Sequence, residues 1–101
     1  MRDLESQLDF QLTAAGIEHE REFRAVPGRR FRWDFRVEDV LIEVQGGIWQ
    51  KGGHSTGTGI TRDCEKANLA TINGWRVLLF TGDMVKDGTA LDIIRKAMEA
   101  G

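Results

Sequence analysis

The stretch Asp34-Phe35-Arg36-Val37-Glu38-Asp39-Val40-Leu41-Ile42-Glu43-Val44-Gln45 decides how this chain is read. It divides into two short apolar-rich runs around Glu38-Asp39, the pattern of two strands joined by a tight hairpin turn. Side chains alternate between the faces of a strand, so Glu43 and Gln45 share one side while Ile42 and Val44 point the other way into a core. One acid, eight residues, then Glu43-Val44-Gln45 bring two carboxylates and an amide to a sheet edge. Those are hard oxygen donors of the kind Mg²⁺ takes, which points to phosphodiester chemistry.

Working back toward the N-terminus, Arg30 to Val37 alternates cleanly, with Phe31, Trp33, Phe35 and Val37 expected on one face and Arg30, Arg32, Asp34 and Arg36 on the other. Glu18 to Ala25 alternates more loosely and reads as a further strand, closed by the turn pair Pro27-Gly28. Asp3 to Ala15 is a helical pattern ended by Gly16. At roughly 100° per residue, Leu4, Leu8, Leu12 and Ala15 form one apolar stripe, Glu5 stands at its rim, and Asp9 lies further round.

Beyond Gln45 the composition changes abruptly: Gly46 to Thr61 holds six glycines in sixteen residues and reads as a loop beside the site. It also carries Trp49, Lys51 and His54, which favours a loop that closes over substrate above a plain linker. Thr61 is expected to cap a helix from Arg62 to about Asn73, on which Asp63, Lys66, Ala67 and Ala70 share a face. Trp75 to Thr81 reads as a buried strand with parallel neighbours, Gly82 to Val85 as a short turn, and Thr89 to Ala100 as a last helix with Leu91, Ile94 and Met98 inward. Trp33 and Trp75 are expected in the core, and Cys64 as a small buried helix residue. A helix, three strands able to pair antiparallel, then helix, strand and helix imply an α/β fold, a mixed β-sheet flanked by helices, in a single domain over residues 1–101.

The chain of 101 residues has a formal net charge of −2, 41% hydrophobic and 30% charged residues, and no apolar run of membrane-spanning length. That balance argues against a protein that coats DNA through net charge. The N-terminal residues lack the apolar core of a signal peptide, so a cytoplasmic, intracellular location is expected. One cysteine can form neither an internal disulfide nor, without neighbouring ligands, a zinc site. Locally the balance reverses: Arg21, Arg24, Arg29, Arg30, Arg32 and Arg36 face only Glu22 and Asp34 between positions 21 and 36. Either this basic stripe docks a phosphate backbone, or its arginines pair with acids elsewhere.

Several strings then become familiar in order: E-V-Q-G-G-I-W from 43, G-G-H-S-T-G-T-G from 52, R-D-C-E-K-A-N from 62 and N-G-W-R-V-L-L-F-T from 73, followed by Met84-Val85. With Glu5 on a helix ahead of Asp34, the chain from Glu5 to Val85 resembles the PD-(D/E)xK nuclease superfamily. Within it, the strings are similar to small phage and prophage endonuclease-like domains related to the very-short-patch-repair and virus-type replication-repair nucleases. The resemblance implies a restriction-endonuclease-like αβββαβ core and a metal-dependent DNA endonuclease acting on nicked, branched or structured DNA. It implies that Asp34, Glu43 and the Val44 carbonyl hold Mg²⁺ or Mn²⁺, with Glu5 nearby on a water or a second ion. Gln45 departs from the pattern, because the family usually has lysine there and an amide can only hydrogen-bond. Lys66 on the facing helix is the first substitute and Lys51 the second. Failing both, the domain is a DNA-binding module or assembly subunit that cuts weakly or not at all. His54 is a candidate general base or phosphate contact, against the reading of an ordinary surface histidine. Trp49 either stacks on a base or packs on the sheet. Arg29, Arg30, Arg32, Lys51 and Arg62 are the cations expected to meet the DNA backbone. So short a chain leaves little surface for sequence readout, which implies low specificity or a homodimer.

Overall fold

In the computed structural model, which describes residues 3–45 and 57–101, the Asp34–Gln45 stretch forms the hairpin expected of it. Strands β2 (Trp33–Val37) and β3 (Val40–Val44) pair antiparallel with Val37 opposite Val40 and Phe35 opposite Ile42, and the turn is made by Glu38, at φ +52°, and Asp39. Strand β1 (Glu20–Phe23) pairs antiparallel with β2. The chain then crosses through helix α2 (Gly57–Ile72) and returns as β4 (Arg76–Phe80), parallel to β3. Helix α1 (Leu4–Ala14) precedes the sheet, and α3 (Gly82–Lys86) and α4 (Thr89–Ala100) follow it. The sheet order is β1-β2-β3-β4, and the fold is the expected α/β arrangement of a mixed sheet flanked by helices.

Two cores lie on the two faces of the sheet. Phe35, Val37, Val40, Ile42 and Phe80 meet Leu8 and Leu12 of α1, Val85 of α3, and Ala90 and Ile94 of α4. On the opposite face Trp33 and Leu41 meet Ala70 of α2, with Phe23, Trp75 and Val77 alongside. Three helices therefore cover one face and α2 the other. Local signals set the ends of α1: Asp3 caps it by accepting from the Ser6 N–H at 2.7 Å, and Gly16 leaves it at φ +74°, where a side chain would be strained. At its start α1 lies close against α3, since a Cβ on Gly82 would stand 2.9 Å from Leu4 Cδ1. Gly82 follows directly on β4, so this approach holds the first turn of α1, with Glu5, beside the ends of β3 and β4.

The structure corrects several expectations. Trp33 does not share a face with Phe35 and Val37; it packs with Leu41 and Ala70 under α2. The cause is the partner strand, where Glu22 sits in the left-handed region at φ +54° and breaks the alternation. Arg21 stays over the Phe35 ring, while Phe23 turns to the other face beside Trp75, and its partner Trp33 goes with it. Helix α2 begins at Gly57, so Thr61 lies inside it and not at its cap. The rest of the glycine-rich run, 46–56, lies outside the described residues. β4 is the edge strand among the described residues and not a fully buried one: Phe80 is buried, but Leu79, on the other face, is 53% exposed. Gly82 to Val85 is helical, capped by Thr81 through the Met84 N–H at 3.2 Å. Cys64 is exposed, not buried, because it lies off the α2 face that carries Ala70. The strands are also shorter than their sequence patterns, four residues in β1 and five in β2.

Candidate active site

At the end of the β2/β3 ladder the last paired residues are Phe35 and Ile42, and the next residue along each strand is an acid, Asp34 on β2 and Glu43 on β3. Here the Val44 N–H donates to Asp34 Oδ2 at 2.8 Å, which anchors the carboxylate to the neighbouring strand. Glu43 meets α2 instead: Lys66 Nζ donates to Glu43 Oε1 at 3.1 Å. Lys66 also lies 4.4 Å from the centre of the Trp33 ring. From the opposite layer Glu5 comes near enough to Asp34 for the two charges to act on each other, and Arg21 Nη2 braces it at 3.4 Å. Three carboxyls and one ammonium from α1, β2, β3 and α2 thus converge where the antiparallel pair opens.

All three acids are harder to ionise than in water. Burial is the main cause for Asp34, reinforced by the Glu43 charge and opposed by the Val44 N–H and Lys66. Burial also leads for Glu43, against the Lys66 ammonium, and for Glu5, where the Asp34 charge adds to it. Lys66 and the Arg21 guanidinium beside Glu5 leave three acids short of neutral, and crowded, partly desolvated carboxylates relax when a cation joins them.

The donor set suits a hard divalent ion, since it consists of carboxylates with no thiolate or imidazole among them. Among the described residues no three His, Cys, Asp or Glu are already gathered as a cage. An ion that keeps several of its own waters and takes one or two carboxylates needs no such cage, and Mg²⁺ binds in that way. In chemistry, then, the residues present fit it.

The same arrangement of strands and helices is found elsewhere. The catalytic domain of the homing endonuclease I-Bth0305I superposes on this chain with a TM-score of 0.67, over 98% of this chain and 92% of its own. The two share a fold. At 18% identity the likeness extends to the fold and no further. No family model and no curated protein matches the sequence.

Of the residues singled out in the sequence, Glu5, Asp34, Glu43 and Lys66 come together. Gln45 prolongs the β3/β4 pairing, its N–H donating to the Phe80 carbonyl at 2.7 Å, and its side chain makes no hydrogen bond among the described residues. Trp49, Lys51 and His54 lie outside the described residues. The arginine stripe is substantially self-paired: Arg29 with Glu65 at 3.1 Å, Arg32 with Glu22 at 2.9 Å, Arg36 with Glu20 at 2.8 Å, and Arg21 with Glu5 and Asp9. Arg62 lies near enough to Glu65 to lower that acid's pKa, behind the larger effect of Arg29. Arg24 and Arg30 form no ion pair among the described residues. Asp9, the poorer helix candidate, is engaged by His19 Nε2 at 2.6 Å. Sequence reasoning missed the contact of Arg21 with Glu5 and the placing of Trp33 against Lys66. Neither had a local signal, since the first joins residues 16 apart and the second depends on a break in strand alternation.

Proposed function

We propose that this domain is a metal-dependent DNA endonuclease of the PD-(D/E)xK kind, with Lys66 in place of the lysine that Gln45 lacks. The observation that carries the reading is the Lys66 ammonium 3.1 Å from Glu43, on the strand that bears the last acid of the motif. Asp34 and Glu43 would hold Mg²⁺ or Mn²⁺, with the Val44 carbonyl, and Glu5 would act beside them through a water. Such an ion lowers the pKa of the attacking water and neutralises charge on the phosphate. The residues do the rest. Lys66 supplies a fixed positive charge where the phosphate oxygens become more negative during attack. Asp34, pinned by the Val44 N–H, keeps the acids in register, and Glu5 accepts or holds a water proton.

Arg30 and Arg24 are the arginines of the stripe best able to meet a DNA backbone, with Arg29, Arg32 and Arg62 joining by exchanging their acids for phosphate. Lys51 and His54 belong to the same proposal. The substrate is nicked, branched or otherwise structured DNA, and a homodimer would double a small interface. The fold shared with a homing endonuclease catalytic domain supports the nuclease reading. Among the described residues no helix is long and apolar enough to cross a membrane.

The test is to incubate the protein with supercoiled plasmid and branched DNA in Mg²⁺ or Mn²⁺, then in EDTA. Cleavage that needs the ion and is abolished in Asp34→Ala is expected. Absence of cleavage, or full cleavage by Asp34→Ala, rejects it. The second reading, a DNA-binding module without turnover, is favoured by the neutral Gln45 and predicts metal-independent binding that weakens steeply with salt.

A further inference from the structure

Trp33 takes no part in the chemistry above, yet it does not behave as a plain core residue. It is 2% exposed, and its indole N–H has no hydrogen-bond partner among the described residues. An unpaired buried donor is costly, and phenylalanine would fill much of the same space without one. Strand parity with Phe35 would also put the ring on the α1 side; instead it lies under α2, its face 4.4 Å from the ammonium of Lys66.

We propose that Trp33 is a positioning residue for Lys66: its indole face and the Glu43 carboxylate together hold the ammonium at the mouth of the site. The inference rests on the reading of Lys66 as the site's cation. Its chemical logic concerns what an aromatic face leaves free. A second carboxylate would steady the lysine but cancel its charge. The indole face, the strongest of the aromatic side chains for a cation, steadies it by attraction to the ring and leaves its charge uncancelled. Of the three ammonium donors Glu43 takes one and the ring face meets another, so one remains for a phosphate oxygen. Glu43 is also a proposed metal ligand, so its hold on Lys66 is shared once an ion is present. The ring, buried against Leu41 and Ala70, is not.

Two measurements test this together, on Trp33→Phe and Trp33→Leu. The first needs no activity: with ¹³C-lysine labelling, the Hε signals of Lys66 are compared with those of Lys51, Lys86 and Lys96, using Lys66→Met for assignment. A methylene beside an indole face is shifted upfield, so Lys66 is expected upfield of the other three in the native protein, less so in Trp33→Phe, and among them in Trp33→Leu. The second is the cleavage rate: Trp33→Leu is expected to lose roughly 10-fold in kcat with KM within about 2-fold, and Trp33→Phe to recover most of the loss. A native Lys66 signal lying among the other lysines overturns the proposal. So does a Trp33→Leu protein that keeps its kcat, or a Trp33→Phe protein that is no better than Trp33→Leu. Should the native protein cleave no DNA, the nuclease reading falls, while the lysine spectra still decide whether Trp33 holds Lys66. Should Trp33→Leu fail to fold, the native and Trp33→Phe spectra decide alone: a Lys66 shift that does not diminish in Trp33→Phe overturns the proposal.

Discussion

Replacing Lys66 by methionine keeps the length and apolar stem of the side chain and removes its charge, leaving Glu43 without a counter-ion. The pair is 3.1 Å apart, with side chains 16% and 26% exposed. At an effective dielectric constant of about 20 the attraction alone is about 5 kcal/mol, most of it offset by the cost of taking both ions out of water. Stranding one partner of a fully buried pair costs about 3–5 kcal/mol; with this much solvent at both ends, screening reduces that to about 2 kcal/mol for Lys66→Met. Urea unfolding in EDTA at pH 7 measures it, and for a domain of this size the loss is about 10 °C in Tm. Glu43→Gln in the Lys66→Met background should restore most of that, giving a coupling of about 1.5 kcal/mol in the double-mutant cycle. The pH dependence is fixed in sign. Without Lys66 the folded-state pKa of Glu43, already raised by burial, rises further. Between the unfolded and folded values the native state then binds the extra proton, so the deficit of Lys66→Met shrinks as pH falls toward the unfolded carboxylate value. A Lys66→Met protein within about 0.5 kcal/mol of the native one, or strictly additive single variants, would refute the reasoning.

Glu5→Gln should raise, not lower, the stability of the metal-free protein at pH 7. Burial and the Asp34 charge raise the Glu5 pKa, so its ionised form opposes folding above that pKa, and the gain should vanish below the unfolded value; melting in EDTA at both pH values checks it. Phe35→Ala, at a fully buried position of the α1-side core, should cost about 3–5 kcal/mol in urea unfolding. Asp39 is held below the usual aspartate range, chiefly by hydrogen bonding to Arg76, so its carboxyl ¹³C signal should titrate lower than an ordinary aspartate and move up toward that range in Arg76→Ala. The contribution of that pair is present above the unfolded pKa and lost as pH falls through the folded one.

How far the sequence alone reaches is visible in the hairpin. The two-residue turn at Glu38-Asp39, the two adjacent strands that carry Asp34 and Glu43, the inward Ile42 and Val44, the exit of α1 at Gly16 and the span of α4 all rest on signals within a few residues of each other: strand alternation, caps and turn chemistry. Those signals carried the α/β class, while the resemblance to a nuclease superfamily put Glu5, Asp34, Glu43 and Lys66 forward as one group. Tertiary structure decided the rest. Whether the arginines of the stripe are free or engaged depends on acids such as Glu65, which lies 36 residues from Arg29. That β4 lies at the sheet edge depends on strand order, to which its apolar run is blind. The face of Trp33 followed from a left-handed residue on the neighbouring strand, and a single such residue reverses the parity on which period-2 reading depends. From Asp34 to Gln45 the sequence by itself determined the hairpin that carries the two acids, because strand pairing is local there. Which cation meets them, and what holds it, was decided by the packing of α2 across the sheet, a contact between residues distant in sequence that no short-range pattern encodes.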